Sequence, residues 1–216
     1  MSDRGLRWLR LSSGAAALID PFCGGAVHRL RFRGDNRYRP IEMLWGDDDP
    51  TTTPVETDLF RGRLLLPFAD RIKGGRYAWE GSEYQLPIND RGMGDAIHGF
   101  LYRNALAVTE QSDAKTDSDT ETSVTLETTF PGQDGYPWPL RIRLRYILRD
   151  REFVLRMRAV NLGETDAPFS AGWHPYFFVP GTVPGAPVDS AELHVPADRY
   201  FEQDTHQPLT RARNEV

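Results

Sequence analysis

Cysteine is almost absent from this chain, since Cys23 is the single one among 216 residues. One cysteine excludes an intramolecular disulfide framework and a zinc site built on paired thiolates. No motif around Cys23 indicates a nucleophile, so we expect a buried, inert thiol. Long apolar runs are also missing, and the charged N-terminus lacks the apolar core of a secretion signal. We therefore expect a soluble, cytoplasmic protein that does not associate with membranes.

A strong excess of one sign of charge is missing as well. The 31 acidic and 26 basic side chains are spread along the chain and give a formal charge of −5. Such a surface has no basic patch for nucleic acid or an anionic membrane, and a neutral, hydroxyl-rich ligand fits it better. The five histidines form no His-x-His or HExxH pair. We therefore expect no metal site.

What the chain does have is the two-residue alternation of apolar and polar side chains that is typical of β-strands. The alternation is clearest in residues 140–148 and 153–160, which a polar turn at Asp150 and Arg151 separates. These runs predict a long antiparallel hairpin. Because arginines would face one another on its outer side, we expect a strand at 121–130 to place acidic side chains among them.

Shorter β-like runs, separated by turn residues, fill much of the remaining sequence. They occupy residues 6–11, 15–19, 26–32, 75–79, 83–87 and 191–195, whereas the polar segment 111–122 predicts a mobile loop. Many short strands with turns between them predict an all-β fold, an antiparallel β-sandwich in which two sheets bury their inner faces. The length fits a single domain over residues 1–216.

Arg71 is the first candidate for chemistry. It follows an apolar stretch and precedes Gly74 and Gly75, which let the backbone turn, so its guanidinium can project into a cleft. The local residues alone favour a different interpretation, a surface arginine that pairs with Asp70 or another acid.

His98 is the second candidate. In a strand over residues 95–103, alternation would place Ala96, His98 and Phe100 on one face, and the small alanine would leave room for a ligand. The alternative is a core histidine that is satisfied by a backbone carbonyl.

The third candidate is His174, in the most aromatic stretch of the chain. Pro175 keeps His174 extended, so His174 and Tyr176 should point to one side, and Trp173 and Phe177 to the other. A histidine beside a phenol fits a sugar site in which Tyr176 contacts the substrate. From spacing alone, an aromatic core that holds one buried histidine is the alternative.

Four motifs follow one another along the chain: LPFADRIKGGRY at 66–77, YQLPIND at 84–90, IHG at 97–99 and GWHPYF at 172–177. Their order and spacing resemble the aldose 1-epimerases, also called galactose mutarotases. The resemblance implies an antiparallel β-sandwich of the mutarotase-like (supersandwich) type. It also implies an enzyme that interconverts the α and β anomers of a free hexose without a cofactor.

The resemblance also implies roles for single residues. His174 matches the general acid, while His98 and Arg71 match residues that hold the ring oxygen and hydroxyl groups of the sugar. Ring opening needs one proton at the ring oxygen and the loss of another from the anomeric hydroxyl. Imidazole, with an ordinary pKa of about 6.5, can serve either step. We therefore expect His174 and His98 to be catalytic, and Arg71, His98 and Tyr176 to bind the sugar.

The chain departs from the family pattern after the GWHPYF motif. Family members remove the second proton with a glutamate near their C-terminus, and most add a sugar-binding aspartate before it. Glu215 lies in a polar tail and does not inherit that role, and only proximity recommends Asp198 and Glu202 as replacements. We expect a sandwich that is incomplete at its C-terminal side, with its open edges covered by a homo-oligomer or a partner chain.

Two other functions stay open at this point. A non-catalytic sugar-binding or sensing protein would keep the pocket and lack the base. A hexose-phosphate epimerase would need extra cationic groups for the phosphate, and the Pro-(Ile/Val)-Cys-Trp-Pro stretch of that branch is absent from the sequence.

Overall fold

The fold was analysed in a computed structural model, which describes residues 5–34, 40–46, 59–179, 191–192 and 194–197 and the backbone of two short strands at 200–201 and 212–213. Asp198, Glu202 and Glu215, considered above as carboxylates of the site, lie outside the described residues. No helix in the described ranges has the length and apolar character needed to cross a membrane.

The first sheet has four antiparallel strands in chain order. They are β1 (Arg7–Arg10), β2 (Ala16–Asp20), β3 (Ala26–Phe32) and β4 (Ile41–Glu42). Between β2 and β3 the side chain of Asp20 accepts hydrogen bonds from the backbone N–H groups of a 3-10 turn at Pro21–Cys23. The predicted strands at 6–11, 15–19 and 26–32 are confirmed, and Cys23 is buried as expected.

The second sheet is also antiparallel and is built from longer strands. Five shorter strands come before it in the chain: β5 (Leu64–Leu65), β6 (Arg71–Ile72), β7 (Arg76–Trp79), β8 (Ser82–Gln85) and β9 (Ala96–Ile97). The sheet itself comprises β10 (Ala107–Ser112), β11 (Glu121–Phe130), β12 (Leu140–Arg149) and β13 (Glu152–Asn161). Glu127 lies opposite Arg143 in the register, and their side chains are 3.0 Å apart. The predicted hairpin and its acidic neighbouring strand are therefore confirmed.

One apolar core joins the two four-stranded sheets. Leu9, Ile19 and Val27 of the first sheet and Leu126 and Leu144 of the second are all fully buried in the same cluster. A polar contact links the sheets as well: the buried hydroxyl of Tyr146 on β12 donates to the carbonyl of Gly25, at 2.5 Å. The fold is thus the predicted antiparallel β-sandwich.

The remaining strands form two-stranded pieces beside the sandwich. β7 and β8 make the predicted hairpin, β6 pairs with β9, and β5 pairs with β14 (Gly172–Trp173). The last pair joins β15 (Tyr200–Phe201) and β16 (Ala212–Arg213). Two further 3-10 turns lie at Lys73–Gly75 and Leu101–Arg103.

The prediction of one strand through residues 95–103 is wrong. The strand ends at Ile97, and His98 adopts a left-handed backbone with a φ of 63°. The chain turns here because it packs closely against the segment that contains Leu66. Both Phe100 and Leu101 donate their N–H groups to the carbonyl of Leu66. Regular alternation therefore does not place Ala96, His98 and Phe100 on one face.

Two smaller predictions also need correction. Residues 191, 192, 194 and 195 lie outside any strand, because they are exposed and the chain makes a local turn in which the N–H of Ala197 donates to Val195. The polar loop is shorter than 111–122, since β10 extends to Ser112 and β11 begins at Glu121. A hydrogen bond from Thr122 to the carbonyl of Ser112 closes the two strands around residues 113–120.

Candidate active site

A cleft of about 1250 Å³ opens beside the sandwich and gathers the three residues that the sequence singled out. Arg71, His98 and His174 all line it, together with Phe60 and Asp90. These side chains come from segments far apart in the chain, so the fold is what brings them together.

The two-stranded pieces position these side chains. Arg71 lies on β6, opposite Ile97 of β9, and His98 follows β9 directly. His174 follows β14, and its backbone is held on both sides: its N–H donates to the carbonyl of Arg63 at 3.0 Å, and its carbonyl accepts from Gly62 at 2.8 Å.

The aromatic rings of the site form a continuous cluster. The imidazoles of His98 and His174 meet edge to face with their centroids 5.3 Å apart. Phe60 lies 4.6 Å from the ring of His98 and 6.3 Å from that of His174. These contacts remove water from both histidines, which matters for their protonation.

Tyr176 stacks on His174, with ring centroids 5.3 Å apart, while Trp173 contacts Phe177 in an edge-to-face pair. The predicted pairing of His174 with Tyr176 and of Trp173 with Phe177 is therefore confirmed. Tyr176 itself is not among the residues that line the cleft. Its ring contacts those of His174 and Trp45, and its contact with sugar stays a prediction.

His98 is held by the backbone of Asp70. The N–H of Asp70 donates to Nδ1 of His98 at 3.1 Å, and the N–H of His98 donates back to the carbonyl of Asp70, also at 3.1 Å. Burial is the largest cause that lowers the pKa of His98 from 6.5 to about 4; the neighbouring His174 and Arg71 contribute to this shift, and Asp90 opposes it. His98 is therefore a neutral imidazole near pH 7.

Burial also lowers the pKa of His174, and a backbone hydrogen bond of the same residue opposes that change in part. Both imidazoles thus favour the neutral form more than a histidine in water does. A proton placed on this pair remains available for transfer, because neither ring holds it tightly.

Arg71 pairs with Asp90 rather than mainly with Asp70. Its Nε lies 2.7 Å from a carboxylate oxygen of Asp90, whereas the nearest contact to Asp70 is 3.9 Å. The hydrogen bond from Arg71 lowers the pKa of Asp90, which stays ionised. Because Asp90 occupies Nε, the Nη groups are the part of the guanidinium that can receive a ligand in the cleft.

Phe60 and Asp90 were not singled out in the sequence. Asp90 lies at the end of the YQLPIND motif, so the motif held a signal for it. Phe60 has no such signal, because its place in the site depends on a backbone φ of 51° that its neighbours in the sequence do not indicate.

Positive φ values concentrate at the cleft. In the part of the chain that the structure describes, four residues other than glycine have them, and three of the four line the cleft: Phe60, Asp70 and His98. The fourth, Glu80, belongs to the turn of the β7–β8 hairpin. Such strained conformations persist where the surrounding structure enforces them, which is common at functional sites.

Metal binding gains no support from the geometry. Over the described ranges, no three His, Cys, Asp or Glu side chains group together as ligands of an ion would. The sequence-based expectation of a site without a metal stays a prediction.

Comparison with known proteins gives a family match and several relatives. A model of the aldose 1-epimerase family matches residues 14–215. The chain is 34% identical over 146 residues to the uncharacterized protein YihR of Escherichia coli. This alignment covers 67% of this chain and 44% of YihR. It is 30% identical over 210 residues to the galactose mutarotase of Rattus norvegicus, covering 85% of this chain and 56% of that protein. The chain thus spans about half the length of these curated relatives.

Solved structures share the fold. The aldose epimerase homologue from C. elegans matches with a TM-score of 0.73 at 21% identity, over 97% of this chain and 61% of the other. A galactose mutarotase-like protein from Clostridium acetobutylicum matches with the same score and identity, over 99% of this chain and 66% of the other. At this level of identity the match establishes the architecture alone.

Proposed function

The chain belongs to the aldose 1-epimerase family, and on that premise we propose that it interconverts the α and β anomers of free aldohexoses. The reaction opens the sugar ring by acid–base catalysis, lets the open chain rotate about its first carbon–carbon bond, and closes the ring again. The observation that carries the proposal is the convergence of Arg71, His98 and His174 on one cleft. The proposed substrate is a neutral hexose, and the reaction needs no cofactor.

His174 is the proposed general acid. Its ring contacts His98, Phe60 and Tyr176 in the cluster that lines or backs the cleft. The lowered pKa makes its protonated form a stronger acid than an ordinary imidazolium, so the proton passes more readily to a sugar ring oxygen. The same shift reduces the protonated fraction at neutral pH, so a step that requires this proton slows as pH rises.

Arg71 and His98 are the proposed sugar ligands. The ion pair with Asp90 anchors Arg71 at the cleft, and its Nη groups can donate to hydroxyl groups or to the oxygen on which negative charge develops. His98, neutral near pH 7, contributes a hydrogen bond rather than a charge. Both residues orient the sugar relative to His174.

Polarimetry tests the proposal directly. Freshly dissolved α-glucose or α-galactose should relax to equilibrium faster with the protein, and His174→Ala should reduce that acceleration by roughly 100-fold or more, as expected for loss of a general acid. His194→Ala is the matched control, because His194 is exposed and outside the cleft. Equal relaxation rates with and without the wild-type protein would contradict catalysis.

Sugar binding without catalysis is the second candidate, and the state of Asp90 favours it. That carboxylate is paired with Arg71 and its pKa is lowered, so it is a weak proton acceptor for the anomeric hydroxyl. Saturable hexose binding in calorimetry with no effect in polarimetry would select this function. Running both assays with glucose 6-phosphate tests the hexose-phosphate alternative, to which Arg91 and Arg103, also at the cleft, are relevant.

A further inference from the structure

Asp70 and His98 are two left-handed residues that face each other across the β6–β9 pair. Their φ values are 65° and 63°, a region that is unfavourable for any residue with a Cβ. Asp70 comes directly before β6, and His98 directly after β9. The two strained residues therefore sit at the same end of one short ladder, where each can reach the backbone of the other.

The contact between the backbone of Asp70 and the ring of His98 fixes the tautomer of the imidazole as well as its position. A backbone N–H can only donate, so the 3.1 Å bond from Asp70 requires Nδ1 of His98 to accept. A neutral imidazole whose Nδ1 accepts carries its proton on Nε2. The second bond, from the N–H of His98 to the carbonyl of Asp70, holds the two backbones in the orientation that the first one needs.

We propose that Asp70 is a positioning residue whose left-handed backbone fixes His98 as the Nε2–H tautomer, so that His98 presents a hydrogen-bond donor to the sugar. This inference rests on the proposed function, because it defines what His98 does for the bound hexose. It assigns the effect to the backbone of Asp70, whereas the carboxylate has no part in it.

The imidazoles of His98 and His174 therefore have different roles. Nδ1 of His98 cannot act as a base while it accepts from Asp70, and adding a proton there would set two donors against each other. His98 therefore holds an oxygen of the sugar in one orientation, and the transfer of the proton is left to His174, whose ring lies 5.3 Å away. The low pKa of His98 agrees with this arrangement.

A series of substitutions at position 70 separates backbone from side chain. Asp70→Gly and Asp70→Asn both tolerate a positive φ, and one removes the side chain while the other removes only its charge. Asp70→Val keeps a side chain of similar size, but a β-branched residue resists this conformation. Asp70→Ala, with a smaller penalty, replaces Asp70→Val in the comparison if the valine variant does not fold.

The measurement is the nitrogen NMR spectrum of the His98 imidazole, taken at pH 7 on protein without sugar and assigned with His98→Asn. We expect an unprotonated Nδ1 and a protonated Nε2 in the wild type, Asp70→Gly and Asp70→Asn. In Asp70→Val or Asp70→Ala we expect mixed tautomers, and a pH titration of the same spectrum should give a pKa of His98 that is higher by about one unit or more.

Two results would overturn the inference: a proton on Nδ1 of His98 in the wild type, or loss of the tautomer in Asp70→Gly together with its retention in Asp70→Val. The second result would assign the effect to the carboxylate. Because the spectrum is recorded without sugar, an inactive protein in polarimetry would refute the proposed function and leave the tautomer result standing.

Discussion

At the scale of single residues, Phe60 contacts three other rings of the site, including both imidazoles. It meets His98, Tyr102 and His174, with centroid distances of 4.6, 5.2 and 6.3 Å. A phenyl ring in this place excludes water from both imidazoles, and loss of water is the largest cause of their lowered pKa values.

Replacing this ring should change the protonation of His98. In Phe60→Ala we expect the pKa of His98 to rise from about 4 toward its ordinary value of 6.5, because water regains access to the ring. Phe60→Leu, which keeps an apolar side chain, should raise it less. An NMR titration of the His98 ring measures both changes, with Phe22→Ala as a control at a phenylalanine that is 52% exposed. Identical titration curves for Phe60→Ala and the wild type would show that the ring does not set this pKa.

The sequence identified some residues of the site and missed others for a physical reason. Arg71, His98 and His174 lie within motifs whose side chains are chemically distinctive, so residue type and order were enough to find them. The left-handed backbones of Phe60 and Asp70 depend on contacts with distant segments, which no local pattern of residue types encodes. The pairing of Arg71 with Asp90 was missed for the same reason, since 19 positions separate them.

At the scale of elements, the longest strands were predictable and the two-residue strands β6 and β9 were not. β12 and β13 carry ten residues each, and their alternation reflects burial of one face. β6 and β9 have two residues each, too few for any period to be visible. They exist because residues 64–72 and 96–101 lie against each other, so their strand character comes from tertiary contact.

Gly99 allows that close approach, and its replacement should be costly. A Cβ at Gly99 would stand 2.0 Å from the carbonyl oxygen of Leu66, and the residue also has a φ of 66°. We expect Gly99→Ala to lower the free energy of unfolding by roughly 3–4 kcal/mol, through both strain and displacement of the backbone next to His98.

Gly74→Ala is the matched control for Gly99→Ala. Gly74 has a similar φ of 57°, but nothing lies within 4 Å of its added Cβ. We expect it to lose only about 1–2 kcal/mol, the cost of the left-handed conformation alone. Urea unfolding of the two variants measures the difference, and equal losses would show that the contact with Leu66 is easily relieved.

At the scale of the whole molecule, stability should depend on the pH at which His98 titrates. The folded protein releases this proton with a pKa of about 4, whereas an exposed histidine does so near 6.5. Between these values the unfolded chain binds more protons than the folded one, so stability falls as pH is lowered through this window. For His98 alone the loss between pH 7 and pH 4.5 is roughly 2 kcal/mol.

His98→Asn should remove this part of the pH dependence. Asparagine tolerates the left-handed backbone and does not titrate. Urea unfolding at pH 7 and pH 4.5 should show that the free energy of unfolding falls less in the variant than in the wild type, by about 2 kcal/mol. His194→Asn, at an exposed position, serves as the control. A drop of equal size in His98→Asn would mean that other groups dominate acid sensitivity in this range.

The sandwich could be predicted from the sequence. Because two sheets share one core, apolar residues that face the core alternate with polar residues along each long strand. The oligomeric state did not follow from the sequence. The expected homo-oligomer or partner chain stays a prediction, and size-exclusion chromatography with light scattering measures the oligomeric state.

The left-handed backbones at the cleft also affect the selection of more heat-stable variants of this protein. Glycine or asparagine at positions 60 and 98 would relieve conformational strain, so a library screened for heat tolerance alone will enrich such substitutions. The selected variants would be more stable and would lack the rings that line the cleft. Directed evolution of this scaffold therefore needs a selection for the proposed activity on sugars in every round.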